Sequence, residues 1–361
     1  MATCPYDAPG GAGYWRIGGS RIMLHAMEPI LTLLRNAPGG LLRATLAAGV
    51  ALGPASGGAA AQAAVDPNVA PRAAQLEREG ERQVATDMLG RYLAVAPDDG
   101  RAWLQLGRFY RLDARDWHLA GHAGDPDGEL YLDLAGVAFD QGIRLAVDSA
   151  VLLRGIVEMD RAILILEDSG WAAATARRPE ARVPLPAIVS ELGANLLGSC
   201  PVNGILVTGS ELEAVAAWYA LADARLRADL VLLRTDLYAS DANYRRRMAE
   251  AMRVDPSLPV RNALMAVAER RTLCLTPGAD TAAASVERAA PLRLVRVIGA
   301  AAEPGAAPLS FTEIILESRQ GGSVWMRDVL AVYAAAAAHN SVLCGSLVLL
   351  AGDLPPETCR R

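Results

Sequence analysis

The sequence predicts an α-helical N-terminal part followed by a small three-layer α/β domain with a parallel sheet and C-terminal helices. Three observations carry this. From residue 66 to about residue 168, apolar residues recur at helical spacing. Beyond residue 203 the pattern changes to short continuous apolar runs separated by helical stretches, as a parallel sheet covered on both faces requires. Composition agrees, because 52% of residues are apolar but only 5% aromatic, so the core must be mostly Ala, Leu and Val, which suits helix packing. A chain of 361 residues can hold two domains of ordinary size.

Residues 1–63 read as a leader. Arg35 and Arg43 precede an apolar segment from Ala44 to Leu52 and then a small-residue stretch, the order of a secretory signal. Ala61-Gln62-Ala63 satisfies the small-x-small rule and predicts cleavage before Ala64, while the first 26 residues fit an over-extended start codon. The expected location is outside the cytoplasm, periplasmic or extracellular. Removal of the leader with Cys4 leaves Cys200, Cys274, Cys344 and Cys359, an even number that permits disulfides in three connectivities. Cys274 and Cys344 lie in apolar runs, where a free buried thiol is the commoner outcome.

The basic residues are all Arg, a compositional bias rather than a site. A net charge of -5 and a pI near 5.5 provide no general attraction to nucleic acid, and the run Arg245–Arg247 is short and flanked by Asp241 and Glu250.

From Asp66 to Asp99, Gly80 occupies a turn between two helices, Ala85 and Leu89 the packing positions of the second, and Pro97 its stop. Trp103, Leu106, Gly107 and Tyr110 follow with W-x2-LG-x2-Y spacing on one helical face, so the small Gly admits a neighbouring helix between bulky anchors. Residues 66–113 resemble the tetratricopeptide-repeat family, and the resemblance implies a helical array that binds peptides or protein surfaces. Gln75, Arg78, Gln105, Arg108 and Arg111 are the first-helix positions that would line its groove. Beyond Tyr110 the pattern departs from the repeat. An inserted loop and helices near 130–147 and 149–168 complete the helical region 64–171, and residues 172–186 read as a linker.

The α/β domain is expected over 187–327, with strands at 204–209, 228–236 and 272–277, helices at 211–226, 240–252 and 259–271, and an edge strand at 291–299. Residues 328–361 read as a helix pair; the stretch 329–352 is uncharged but too often interrupted by polar residues to span a membrane. With Trp218-Tyr219 and Arg227-x-Asp229 as the carrying residues, residues 195–352 are similar to a soluble domain of bacterial glycosyltransferase-like multi-spanning membrane proteins. That resemblance implies an externally facing domain often joined to tetratricopeptide helices. It brings no glycosyl-transfer site, because the membrane part is missing, and Thr208-Gly209-Ser210-Glu211 stands where related domains carry an acidic run.

The segment "VTGSELE" has one Gly, no Lys and two carboxylates, which argues against a phosphate loop; Ser210-x-x-Glu213 fits a capping box instead. Strand ends are nonetheless where open parallel sheets bind ligands, so Ser210, Glu211, Asp236 and Tyr238 are the ligand-edge candidates. His118-x-x-x-His122 with Asp125 has the residue types of a metal site, but the surrounding glycines place it in a polar loop, and no metal is expected there. The sequence therefore predicts an exported, non-catalytic interaction module of the cell envelope. Its expected partner is a protein or peptide, envelope-associated membrane proteins included, with neither nucleic acid nor a cofactor involved. A small-ligand binder or enzyme at the strand-end edge, linked to glycan handling, is the alternative.

Overall fold

The computed structural model describes residues 66–121, 126–180, 183, 185–279, 289–299, 308–320, 322–351 and 359, together with two short strands, β1 (Arg16–Ile17) and β2 (Ser20–Arg21), paired antiparallel. The rest of the expected leader, with its cleavage position, lies outside the described residues. Helices form most of the described chain, and a mixed five-stranded sheet forms the α/β portion. The chain divides into two compact units, Met1–Gln105 and Leu106–Arg361.

The first unit holds α1 (Val69–Arg78), α2 (Arg82–Val95) and the start of α3 (Gly100–Leu119). Ala73, Ala85, Leu89 and Leu93 are buried, and Gly80 lies between α1 and α2. Asp99 caps α3: its Oδ1 accepts from the Arg101 and Ala102 amides, and its Oδ2 accepts the Tyr92 hydroxyl. That hydroxyl oxygen in turn accepts the Asp66 amide, tying the start of the unit to its end.

In the second unit, the rest of α3 is followed by α4 (Pro126–Arg144), α5 (Ser149–Ser169), α6 (Trp171–Ala176) and α7 (Ala187–Ser199). A Cβ on Gly107 would come within 2.6 Å of the Phe139 ring on α4, so the glycine admits that ring as the spacing of its neighbours predicts. The expected linker runs through this unit. Val183 and Leu185 are buried, and Leu185 joins the core formed with α5, α7 and the helix Glu211–Ala222.

The sheet contains β3 (Ile205–Thr208), β4 (Val231–Arg234), β5 (Leu273–Leu275), β6 (Ala290–Leu292) and β7 (Val295–Ile298), in the order β4-β3-β5-β7-β6. The first three are parallel, but β7 runs antiparallel to β5 and β6 antiparallel to β7, so the sheet is mixed rather than parallel. The single edge strand expected at 291–299 is a hairpin, turning at Arg293, whose φ of 53° is left-handed. Alternation sorts the strand residues into two cores. Leu206, Leu232 and Cys274 pack with α7 and α8 (Glu211–Ala222), whereas Ile205, Val207, Val231, Leu233, Leu273 and Leu275 pack with α9 (Thr235–Ser240), α10 (Ala242–Met252) and α11 (Val260–Ala268).

The chain closes with α12 (Thr312–Gln320), α13 (Val324–Ala337) and α14 (Ser341–Ala351). The uncharged stretch is therefore broken into two helices, and among the described residues no helix is long and apolar enough to cross a membrane. Asn195 of α7 fastens this end: its side-chain amide donates to the Tyr333 hydroxyl oxygen and the Ser310 carbonyl, and its own carbonyl accepts the Ser310 amide. Cys274 and Cys344, expected as free thiols, are both bridged, Cys200 to Cys274 and Cys344 to Cys359. An apolar run predicts burial of a cysteine but is silent on the partner the fold brings to it.

Candidate functional site

A cavity of about 280 Å³ opens at the carboxyl ends of β3 and β4, within the second unit. Its apolar wall is Leu112, Leu119, Leu132, Ile163, Leu164 and Leu237. Its charged lining comes from five elements: Arg111, Arg115 and His118 on α3, Asp160 and Glu167 on α5, Glu211 on α8, Arg234 ending β4, and Asp241 before α10.

Arg111 joins three of these elements. Its guanidinium donates to Asp160 at 2.5 Å and to Glu211 at 2.5 Å. Burial alone would lower its pKa, but Asp160 and then Glu211 outweigh that and hold it above the ordinary value. Burial pushes Glu211 up, and the Arg111 hydrogen bond and charge override it, so this carboxylate lies below its usual range. At the first position of α8, Glu211 also faces the positive end of that helix. A second pair lies alongside, Arg234 donating to Asp236 at 2.6 Å. Against the opposing effect of burial, the pairing raises Arg234 and lowers Asp236.

The third cluster is built around a histidine rather than an arginine. His118 Nε2 touches Glu167 Oε2 and lies 3.1 Å from Asp241 Oδ2. Asp241 is anchored by its other oxygen, which accepts the Asn243 and Tyr244 amides as the N-cap of α10. Glu167 lies in the last turn of α5, and its backbone carbonyl accepts from Arg247 of α10. Glu167 is 4% exposed and Asp241 5%. Yet among the described residues no hydrogen bond of ordinary geometry reaches His118 Nε2 or either Glu167 oxygen, which meet only in that close ion pair. Asp241 and Glu167 raise the imidazole to about 9 against the effect of burial. Burial keeps Glu167 above the usual carboxylate range, whereas for Asp241 the contact with His118 and the cap amides overcome burial and bring it below.

The ligand-edge candidates divide. Glu211 lines the cavity and Asp236 is bonded to its wall, but Ser210 is occupied as the cap of α8, accepting the Glu213 amide at 3.3 Å. Tyr238 points into the core with α10 and α11, its hydroxyl without a hydrogen-bond partner among the described residues. Of the groove candidates, Arg78 donates to Gln75 and Gln75 to Glu79 at the end of α1, Gln105 is half-buried and Arg108 exposed on α3, and Arg111 is consumed by its two carboxylates. His118 belongs to the cavity, whereas His122 and Asp125 lie outside the described residues. Glu167 and Asp160 went unnoticed in the sequence, although 160, 163, 164 and 167 share one face of α5, a signal that could have found them. Arg227 and Asp229 are structural: Arg227 donates to the carbonyls of Leu197, Cys200 and Pro201 and is held by Asp229.

No family model, no curated protein and no solved structure matches the chain.

Proposed function

We propose that the protein is an exported, non-catalytic binding protein, a tetratricopeptide-like helical array joined to a three-layer α/β domain whose strand-end cavity holds a small amphipathic ligand. The observation that carries this is the cavity of about 280 Å³, with an aliphatic wall facing charged side chains at the ends of β3 and β4. Open α/β sheets bind ligands outside the carboxyl ends of their strands, and such sites combine apolar walls with a few placed polar groups. A non-catalytic role is supported by the state of the candidates themselves. Ser210 is tied up as a helix cap, and Arg111 and Arg234 neutralise Glu211 and Asp236, which leaves no activated nucleophile among these residues. Two disulfides support export, since such bonds persist in oxidising compartments.

Protein taken from the envelope fraction is expected to retain one small molecule, released on denaturation and seen by native mass spectrometry. Leu132→Trp, which fills the cavity, should lose it while keeping the far-UV circular dichroism of the parent. Protein that retains nothing, or Leu132→Trp that retains as much as the parent, would overturn the ligand reading.

A second reading, capture of a protein partner, is favoured by one feature of α2. Val84 and Val95 are three helical turns apart on one face and are 49% and 64% exposed. Val84→Glu with Val95→Glu is expected to abolish capture of a protein from envelope extract without changing small-molecule retention. Unchanged capture removes this face from consideration.

A further inference from the structure

We infer that His118, Glu167 and Asp241 form a site for one divalent transition-metal ion at the floor of the cavity, with Zn²⁺ the best fit to the donor set. Imidazole nitrogen with two carboxylate oxygens is a zinc-type set, bound at about 2.0–2.2 Å from the ion. The three donor atoms lie within 4.8 Å of one another, compatible with arrangement around one such ion.

Two independent features point to a cation there. The first is the carboxylate of Glu167, 96% shielded from solvent, whose oxygens face the cavity and have, among the described residues, no hydrogen-bond partner beyond the close contact with the His118 imidazole, itself a candidate ligand. Carboxylates so buried are ordinarily paired with hydrogen-bond donors or ions. Glu211, in the lining, and Asp236, beside it, show that rule met by arginine, whereas among the described residues the charged partner of Glu167 and Asp241 is the shared His118. The second is support behind the donors. Asp241 is fixed through the oxygen that faces away from His118, and Arg247 holds the end of α5, so the donors are oriented by groups that do not compete for the ion. A divalent ion would displace the imidazole proton on binding, after which two carboxylates and one ion sum to zero.

Three protein ligands leave coordination positions open towards the cavity, where an oxygen donor of the bound molecule, a carboxylate or hydroxyl, would complete the set. What the ion holds rests on the ligand-pocket reading, whereas the ion's own binding is measured without any small molecule.

Full-length mature protein stripped with a chelator is titrated calorimetrically with Zn²⁺ alone, and metal content is measured after dialysis. The expected result is one Zn²⁺ per chain, weakened at least about 100-fold by Glu167→Gln and by His118→Gln, since even outer-shell changes weaken sites by about 10–100-fold. His339→Gln, on a remote helix end, should bind as the parent does. Two different variants are used because either could disturb folding; circular dichroism identifies the one to be read, and if both unfold, hyperfine-shifted imidazole proton resonances in the Co²⁺-loaded parent report histidine ligation, and their absence counts against the site. Absence of saturable uptake, or uptake indifferent to both variants, overturns the metal site. A chain that binds Zn²⁺ but retains no small molecule keeps the metal site and loses the ligand reading, and the converse loses only the metal.

Discussion

Replacing Arg154 with Met is expected to lower the unfolding free energy by about 3–5 kcal/mol, the usual result of leaving one member of a buried ion pair without its partner. Arg154 is 2% exposed in the middle of α5 and donates to Glu158 at 2.6 Å one turn on; Glu158 has no exposed surface, and Asp140 and Glu180 complete the surroundings of the guanidinium. Burial pushes the Glu158 carboxyl up, but the Arg154 hydrogen bond and charge, with help from Arg161, bring it below the usual range. A carboxyl lowered on folding contributes stability that is present above its unfolded pKa and lost as pH falls through the folded one. Removing Arg154 leaves the burial effect opposed by the weaker contacts of Arg161 at 3.6 Å, Arg177 at 3.7 Å and the Glu180 amide at 3.4 Å. Glu158 should then be raised, and its contribution lost as pH rises, so the deficit of Arg154→Met relative to the parent should narrow between about pH 7 and pH 5. Denaturant unfolding at both pH values checks this. The double variant Arg154→Met with Glu158→Leu should recover most of the loss, because replacing both partners removes the stranded charge. A single-variant loss below about 1 kcal/mol, the range of an exposed pair, would contradict the burial argument.

This ion pair illustrates what local sequence conveys. "VLLRGIVEMDRAILILE" is recognisable as a helix, and α5 forms at 149–169. That Arg154 and Glu158 are interior is not recognisable, because an i,i+4 charge pair looks the same on a solvated face. Strands β3, β4 and β5 were legible because each is a continuous apolar run. The β6–β7 hairpin was not, since Leu/Val alternation continues through a turn made by Arg293 rather than by Gly or Asn. The cavity shows the same limit. The sequence groups its histidine with His122 and Asp125, which lie outside the described residues, because spacing reveals only residues close in the chain. Glu167 and Asp241 reach His118 from the end of one helix and the cap of another, through the packing of α5 against α10.

Glu213→Ala is expected to cost about 3 kcal/mol or more, well above the roughly 1 kcal/mol expected for Ser210→Ala, although both residues belong to one capping box. The box itself is formed as the sequence predicts, Ser210 accepting the Glu213 amide and Glu213 accepting the Ser210 amide. The carboxylate reaches further. It is 1% exposed, and it accepts the Gly278 amide and the Thr276 hydroxyl, each at 2.8 Å, from the loop after β5. The two loops meet backbone to backbone: a Cβ on Gly209 would lie 1.6 Å from the Gly278 carbonyl oxygen, so the lone glycine of "VTGS" makes room for that loop rather than for a phosphate. Truncating Glu213 leaves the buried Thr276 hydroxyl and the Gly278 and Ser210 amides without this acceptor, whereas truncating Ser210 frees one amide at a helix start. Glu213→Gln keeps one strong acceptor but turns an NH2 group towards donors, so an intermediate loss is expected. Equilibrium unfolding ranks the three variants. Amide hydrogen exchange at Gly278 adds the spatial test: protection should fall in Glu213→Ala and persist in Ser210→Ala, because only the first severs the link between the β3 and β5 loops that frames the sheet beside the cavity.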